Sequence, residues 1–105
     1  MVAMTTDLPQ ILAEALDDDA VLLDVRDDAQ WEAGHAPGAV HIPIGELEGR
    51  LAELPSVEGA LPVTCGGGTK GKRATALLLE HGIDAVELRG GMRGWSAKGR
   101  PVVQG

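Results

Sequence analysis

AVLLDVR, residues 20–26, is a nearly unbroken apolar run between the acids Asp17, Asp18 and Asp19 on one side and Asp27 and Asp28 on the other. A strand with one wet face alternates apolar and polar residues; this run has no polar face, so it belongs in a sheet covered on both sides. It reads as a central strand. Parallel neighbours of such a strand are reached only through crossovers, usually helices, and the sequence supplies them. Thr5, Thr6 and Asp7 stand at a helix start ahead of Leu8, Pro9, Ile11, Leu12, Ala15 and Leu16, which share one face, and the three acids end that helix. Asp27 and Asp28 cap a short helix through Trp31 and Glu32 that Gly34 stops. AVHIP (39–43) is a brief strand closed by Pro43. IGELEGRLAELP (44–55) places Ile44, Leu47, Leu51 and Leu54 at helical spacing and ends before Pro55, despite Gly45 and Gly49. LPVTC (61–65) is a strand, Gly71 to His81 a helix stopped by Gly82, and AVEL (85–88) a last strand before GGMRGW (90–95).

Strands alternating with helices place the chain in the α/β class, with a sandwich built around a parallel sheet. At 105 residues, 1–105 is one domain with one core. With two tryptophans and no Phe or Tyr, that core is made of Leu, Val, Ile and Ala. Sixteen acidic against nine basic residues give a net charge of -7, which repels nucleic acid and anionic membrane surfaces as general partners. No apolar run approaches the roughly 20 residues of a membrane span. A single cysteine forms no internal disulfide, and the N-terminus lacks the pattern of a signal peptide, so a cytoplasmic location is expected.

That cysteine, Cys65, ends a strand and is followed by Gly66, Gly67, Gly68, Thr69, Lys70 and Gly71 before a helix. Loops of this kind, at the carboxyl end of a parallel strand, are where α/β folds bind ligands, because backbone N–H groups and a helix N-terminus converge there. Three glycines let the backbone curl inward without Cβ clashes. A sulfur at the start of that curl sits among donors that favour the nucleophilic thiolate and stabilise an anionic sulfur attached to it. The plainer alternative is a small buried hydrophobe at a strand end. A third possibility is a phosphate loop, since Gly66, Gly71 and Lys72 fit G-x-x-x-x-G-K, but Arg73 stands where a Ser or Thr should hold the metal.

Three segments taken together resemble the rhodanese family. LLDVRDDAQWEAGHAPGAVHIP (22–43) is similar to its N-terminal signature, GGMRGW (90–95) to its C-terminal one, and Cys65 falls between them at the usual place. The resemblance implies a three-layer sandwich with a central, mostly parallel sheet of about five short strands flanked by helices. It implies a sulfurtransferase in which Cys65 takes a sulfane sulfur as a persulfide and passes it to a thiol or cyanide. Gly66, Gly67, Gly68, Thr69, Lys70 and Gly71 would line the persulfide, with Gly71 opening the helix and no metal or organic cofactor. The partners implied are a small sulfur donor or a persulfidated protein, and a thiol acceptor. A non-catalytic module of the same fold that binds a protein or an anion is the alternative. The related phosphatases carry a longer loop ending in arginine, and here Gly71 takes that position. Many family members have arginine directly after the cysteine; Gly66 in its place leaves Lys70 as the main cation and predicts weak thiosulfate affinity.

Asp24 and Arg26, two apart on a strand, face the same side and read as a structural ion pair or loop anchor. His35 reads as hydrogen-bonded in a turn, His41 as a strand residue and His81 as a partner of a helix C-terminus rather than as metal ligands. Trp31 and Trp95 are core or lid residues, and Met92 either helps enclose the pocket or simply packs in the core. Lys72 and Arg73 at a helix start are unfavourably placed for cations, which points to an anionic ligand or an acidic partner beside them.

Overall fold

The computed structural model describes residues 8–66 and 69–105. Five strands form one fully parallel sheet: β1 (Gln10–Ile11), β2 (Leu22–Asp24), β3 (Ala39–His41), β4 (Leu61–Thr64) and β5 (Ala85–Leu88), in the order β1-β5-β4-β2-β3. The helices are α1 (Asp28–Ala33), α2 (Ile44–Leu47), α3 (Thr69–Glu80) and α4 (Gly91–Ala97). The acid-flanked apolar run is an interior strand, between β4 and the edge strand β3, while β4 holds the centre of the sheet. Leu22, Leu23 and Val25 are fully buried, and successive side chains alternate between two cores. Leu23 joins Val63, Ala74 and Leu78 on the side of α2 and α3, while Leu22 joins Ala13, Met92 and Trp95 on the side of α4.

Strand order decides where a ligand can sit. From β2 the chain moves outward to β3, then returns across β2 to β4 and continues to β5 on the other side. The connections leaving β2 and β4 therefore diverge, opening a crevice at the carboxyl ends of these two neighbours. Cys65 follows β4 and Arg26 follows β2, both at that crevice.

The capped helix appears as expected: the Asp27 side chain accepts from Gln30 N at 2.9 Å, and Gly34 ends α1. Two segments depart from the sequence-based expectation. Residues 8–16 do not form a helix but pair as β1 with β5, followed by a 3-10 turn at Ala13–Ala15. The reason is tertiary: Pro9 O and Ile11 O accept from Glu87 N and Arg89 N at 2.9 Å, and the Arg100 guanidinium donates to the Ala13 and Leu16 carbonyls. The helix expected over 44–55 is α2 alone, after which the chain tightens into a 3-10 segment, Glu48–Glu53, with Arg50 off helical geometry at φ -127°. Gly45 and Gly49 weaken this helix at about 1 kcal/mol each relative to alanine.

GGMRGW, to which the sequence pattern assigned no element, is largely helical. Three glycines argue against a helix locally, but Met92 and Trp95, three apart, bury against β2 and β5 residues and hold α4 in place. Trp95 is fully buried, donates its indole N–H to Pro101 O at 2.8 Å, and carries the Arg100 guanidinium 4.4 Å from its ring centroid.

Candidate active site

Cys65 leaves β4 pointing into the core and is 3% exposed. Its carbonyl accepts from Met92 N at 2.7 Å, and that of Gly66 accepts from Arg93 N at 3.1 Å. The first turn of α4 thus grips the cysteine loop by its backbone. This contact explains the glycine pair that precedes it. Gly90 and Gly91 have φ of 82° and 55°, and a Cβ on Gly91 would stand 2.5 Å from Cys65 O and 2.9 Å from Gly66 O. Only glycine satisfies both the left-handed backbone and the close approach.

On the other side, α3 begins at Thr69, two residues earlier than the sequence suggested, so Thr69 and Lys70 are exposed first-turn residues and Gly71 lies buried inside the helix. A Cβ on Gly71 would meet the Cys65 sulfur at 3.3 Å and Glu87 Oε2 at 3.7 Å, so the missing side chain brings the helix backbone onto the sulfur. Gly67 and Gly68 lie outside the described residues. A Cβ at position 66 would stand in ordinary van der Waals contact with Gln30 Nε2, at 3.8 Å.

Glu87 is the residue near the site that the strand pattern did not reveal. It is 2% exposed on β5, and its Oε1 accepts from Gln10 Nε2 at 3.0 Å and from Lys72 Nζ at 3.2 Å. The acidic partner that the Lys72 position called for is therefore this carboxylate, within the chain itself. Periodicity alone could not find it, because a short strand covered on both faces gives no polar side on which to place a glutamate.

Asp24 and Arg26 form the anchor at the end of β2. The fully buried Asp24 carboxylate accepts from Arg26 Nε at 3.0 and 3.1 Å, from Nη2 at 2.7 Å and from Arg26 N at 3.1 Å. Nη2 also donates to Gly34 O at 2.7 Å, tying the end of α1 to the sheet. His41 Nε2 stands 2.7 Å from Arg26 O, and since a carbonyl only accepts, that nitrogen carries the proton. Trp31 stacks between His35 and His41, with centroids 3.5 and 4.7 Å away. His35 Nδ1 contacts Trp31 O at 2.8 Å and His81 Nδ1 contacts Leu77 O at 2.9 Å, local structural bonds in both cases. Among the described residues, no three of His, Cys, Asp and Glu are grouped as a metal site would require.

Beside the loop lies an open pocket of about 380 Å³ whose lining includes Arg26, Gln30, Gly34, Gly66, Met92 and Arg93. Lys70, the expected cation, does not line it. Arginines do, and they differ. Arg26 is neutralised by Asp24, whereas Arg93 is exposed and its side chain makes no ion pair or hydrogen bond among the described residues.

A family model described as the rhodanese-like domain matches residues 8–98. Among curated proteins, a sulfurtransferase of Allochromatium vinosum is 32% identical over 97 residues, covering 91% of this chain and 88% of that protein. The putative sulfur carrier protein YrkF of Bacillus subtilis is 34% identical over 98 residues, 87% of this chain and 52% of that protein. Among solved structures, a rhodanese-related protein from Thermoplasma volcanium superposes with a TM-score of 0.80 at 28% identity, covering 90% of this chain and 97% of that one. A thiosulfate sulfurtransferase from Pseudomonas aeruginosa gives a TM-score of 0.80 at 34% identity over 93% of this chain but 20% of its own. The chain thus spans about half the length of the Bacillus protein and a fifth of the Pseudomonas one.

Proposed function

The chain belongs to the rhodanese-like domain family, and on that premise we propose that it is a sulfurtransferase working through a persulfide on Cys65 in a reducing compartment. The Cys65 thiolate attacks the outer sulfur of a donor persulfide; the donor S–S bond breaks, and the donor thiolate leaves with the electron pair. An acceptor thiolate then attacks the outer sulfur on Cys65, the new S–S bond breaks, and Cys65 departs as thiolate. Sulfane sulfur moves without net oxidation or an electron carrier. The observation that carries this reading is the position of Cys65, at the sheet's switch point with α4 amides fixing the carbonyls of Cys65 and Gly66. Gly66 brings no side-chain donor for a sulfonate, which favours a persulfide on a small thiol or a protein as donor over thiosulfate.

The 3% exposure of Cys65 favours a second reading, a non-catalytic binding module on the same fold. Intact-mass measurement after incubation with inorganic polysulfide or a small-molecule persulfide separates the two. Gain of one sulfur by wild type, absent in Cys65→Ser, is the result expected of the enzyme; no adduct with either donor rejects it in favour of the module.

A further inference from the structure

We propose that Arg93 is a specificity-determining residue that binds the carboxylate of an anionic small thiol, the class of molecule that exchanges sulfur with Cys65. The inference rests on the sulfurtransferase reading and adds the chemistry of its partner. The pocket beside the loop is lined by Gly66, next to the cysteine, and by Arg93, whose own backbone N–H holds the Gly66 carbonyl at 3.1 Å. A molecule resting there with its sulfur toward the cysteine loop lies against Arg93, a lining residue that is itself exposed.

Charge bookkeeping within the pocket singles out this residue. Among the described residues the lining holds no Asp or Glu, and its other cation, Arg26, makes three contacts to the Asp24 carboxylate and one to Gly34 O. The protein as a whole carries -7, so an anion is repelled at long range except where a local cation is left uncompensated. Gln30 adds a neutral amide donor opposite Gly66, and Met92 an apolar wall. A fixed fork of N–H donors, an amide and an apolar flank suit a carboxylate on a short carbon chain. Because position 66 has no side chain, the anion is read, among the described lining residues, by Arg93 on α4.

In the transfer step the acceptor thiolate attacks the outer sulfur of the Cys65 persulfide, the Cys65 S–S bond breaks, and the acceptor leaves as the new persulfide. Arg93 touches only the carboxylate. It therefore changes which thiol is held, and a KM effect is expected to exceed any kcat effect.

The test uses protein loaded with inorganic polysulfide and unloaded by 3-mercaptopropionate, 2-mercaptoethanol or cysteamine, with loss of the extra sulfur followed by mass. Comparing each variant with wild type for one thiol at a time cancels the intrinsic reactivity of that thiol. In Arg93→Gln the preference for the carboxylate over the neutral thiol should fall roughly five- to tenfold, the range for a charge-assisted hydrogen bond at a partly open site. Arg93→Glu should shift preference toward cysteamine, and Arg93→Lys should restore part of the carboxylate preference. Equal slowing with all three thiols, or unchanged preference, overturns the assignment. A parallel titration with 3-(methylthio)propionate, followed by NMR on unloaded protein, needs no sulfur chemistry. Should Cys65 accept no sulfur, the enzyme reading fails and this titration alone decides. Saturable binding weakened in Arg93→Gln then upholds the carboxylate site, and absence of binding rejects it.

Discussion

Replacing Gly91 with alanine tests whether α4 supports the cysteine loop. Position 91 has φ 55°, where a side chain costs about 1–2 kcal/mol. The new Cβ would also stand 2.5 Å from Cys65 O and 2.9 Å from Gly66 O, both backbone atoms that cannot rotate away. Relief requires the loop and the helix to separate, stretching the bonds from Met92 N and Arg93 N. At about 0.5–1.5 kcal/mol for each bond, the total comes to about 3 kcal/mol, a drop of roughly 10–20 °C in Tm for a domain of this size. Gly82→Ala is the control. Gly82 has φ 75° but nothing within 4 Å of its Cβ position, so its cost is the backbone term alone, about 1–2 kcal/mol. Thermal and urea unfolding by circular dichroism, with sulfur loading by mass spectrometry, give the comparison. Gly91→Ala should unfold at the lower temperature and load sulfur poorly in the fraction still folded, while Gly82→Ala loads normally. Equal destabilisation with equal loading would refute the claim that α4 positions the loop.

Two further outcomes follow from the ion pairs. Asp24→Ala leaves the buried Arg26, 8% exposed as a residue, without its carboxylate, and urea unfolding should show a loss of about 3–5 kcal/mol, the usual cost of stranding one buried partner; a loss under about 1 kcal/mol would mean the pair is not truly desolvated. Hydrogen bonding to Arg50 lowers the Glu53 carboxyl below its ordinary 4.5, so this pair stabilises the protein above that value and the benefit disappears as pH falls through the lowered one. The Tm gap between wild type and Arg50→Ala should thus be present at neutral pH and close in acid, and it should shrink with added salt because the pair is exposed; a gap that persists unchanged in acid contradicts this origin.

Much of the fold is legible along the chain because its signals are local. The unbroken apolar run of β2, the Asp27 cap with its Gly34 stop, and the Leu77, Leu78 and Gly82 pattern of α3 each express a constraint that neighbouring residues satisfy among themselves. Cys65 is legible for the same reason, since a lone cysteine between a strand and a glycine run is visible without coordinates. Residues 8–16 mislead because their helical spacing competes with hydrogen bonds offered by β5, 77 residues further along the chain, and with the Arg100 clamp. The cation at the pocket is hidden likewise: Lys70 is near Cys65 in sequence, whereas Arg93 reaches the same crevice through the backbone contact with Gly66.

By itself, then, the sequence determined the α/β class, the family and the candidate cysteine, all carried by short-range pattern and residue type. Tertiary structure alone decided that β2 and β4 lie side by side, that Glu87 faces Gly71 behind the sulfur, and that the pocket's guanidinium without a partner among the described residues is Arg93. These are matters of which distant segments touch, set by parallel crossovers and burial, and no local propensity records them.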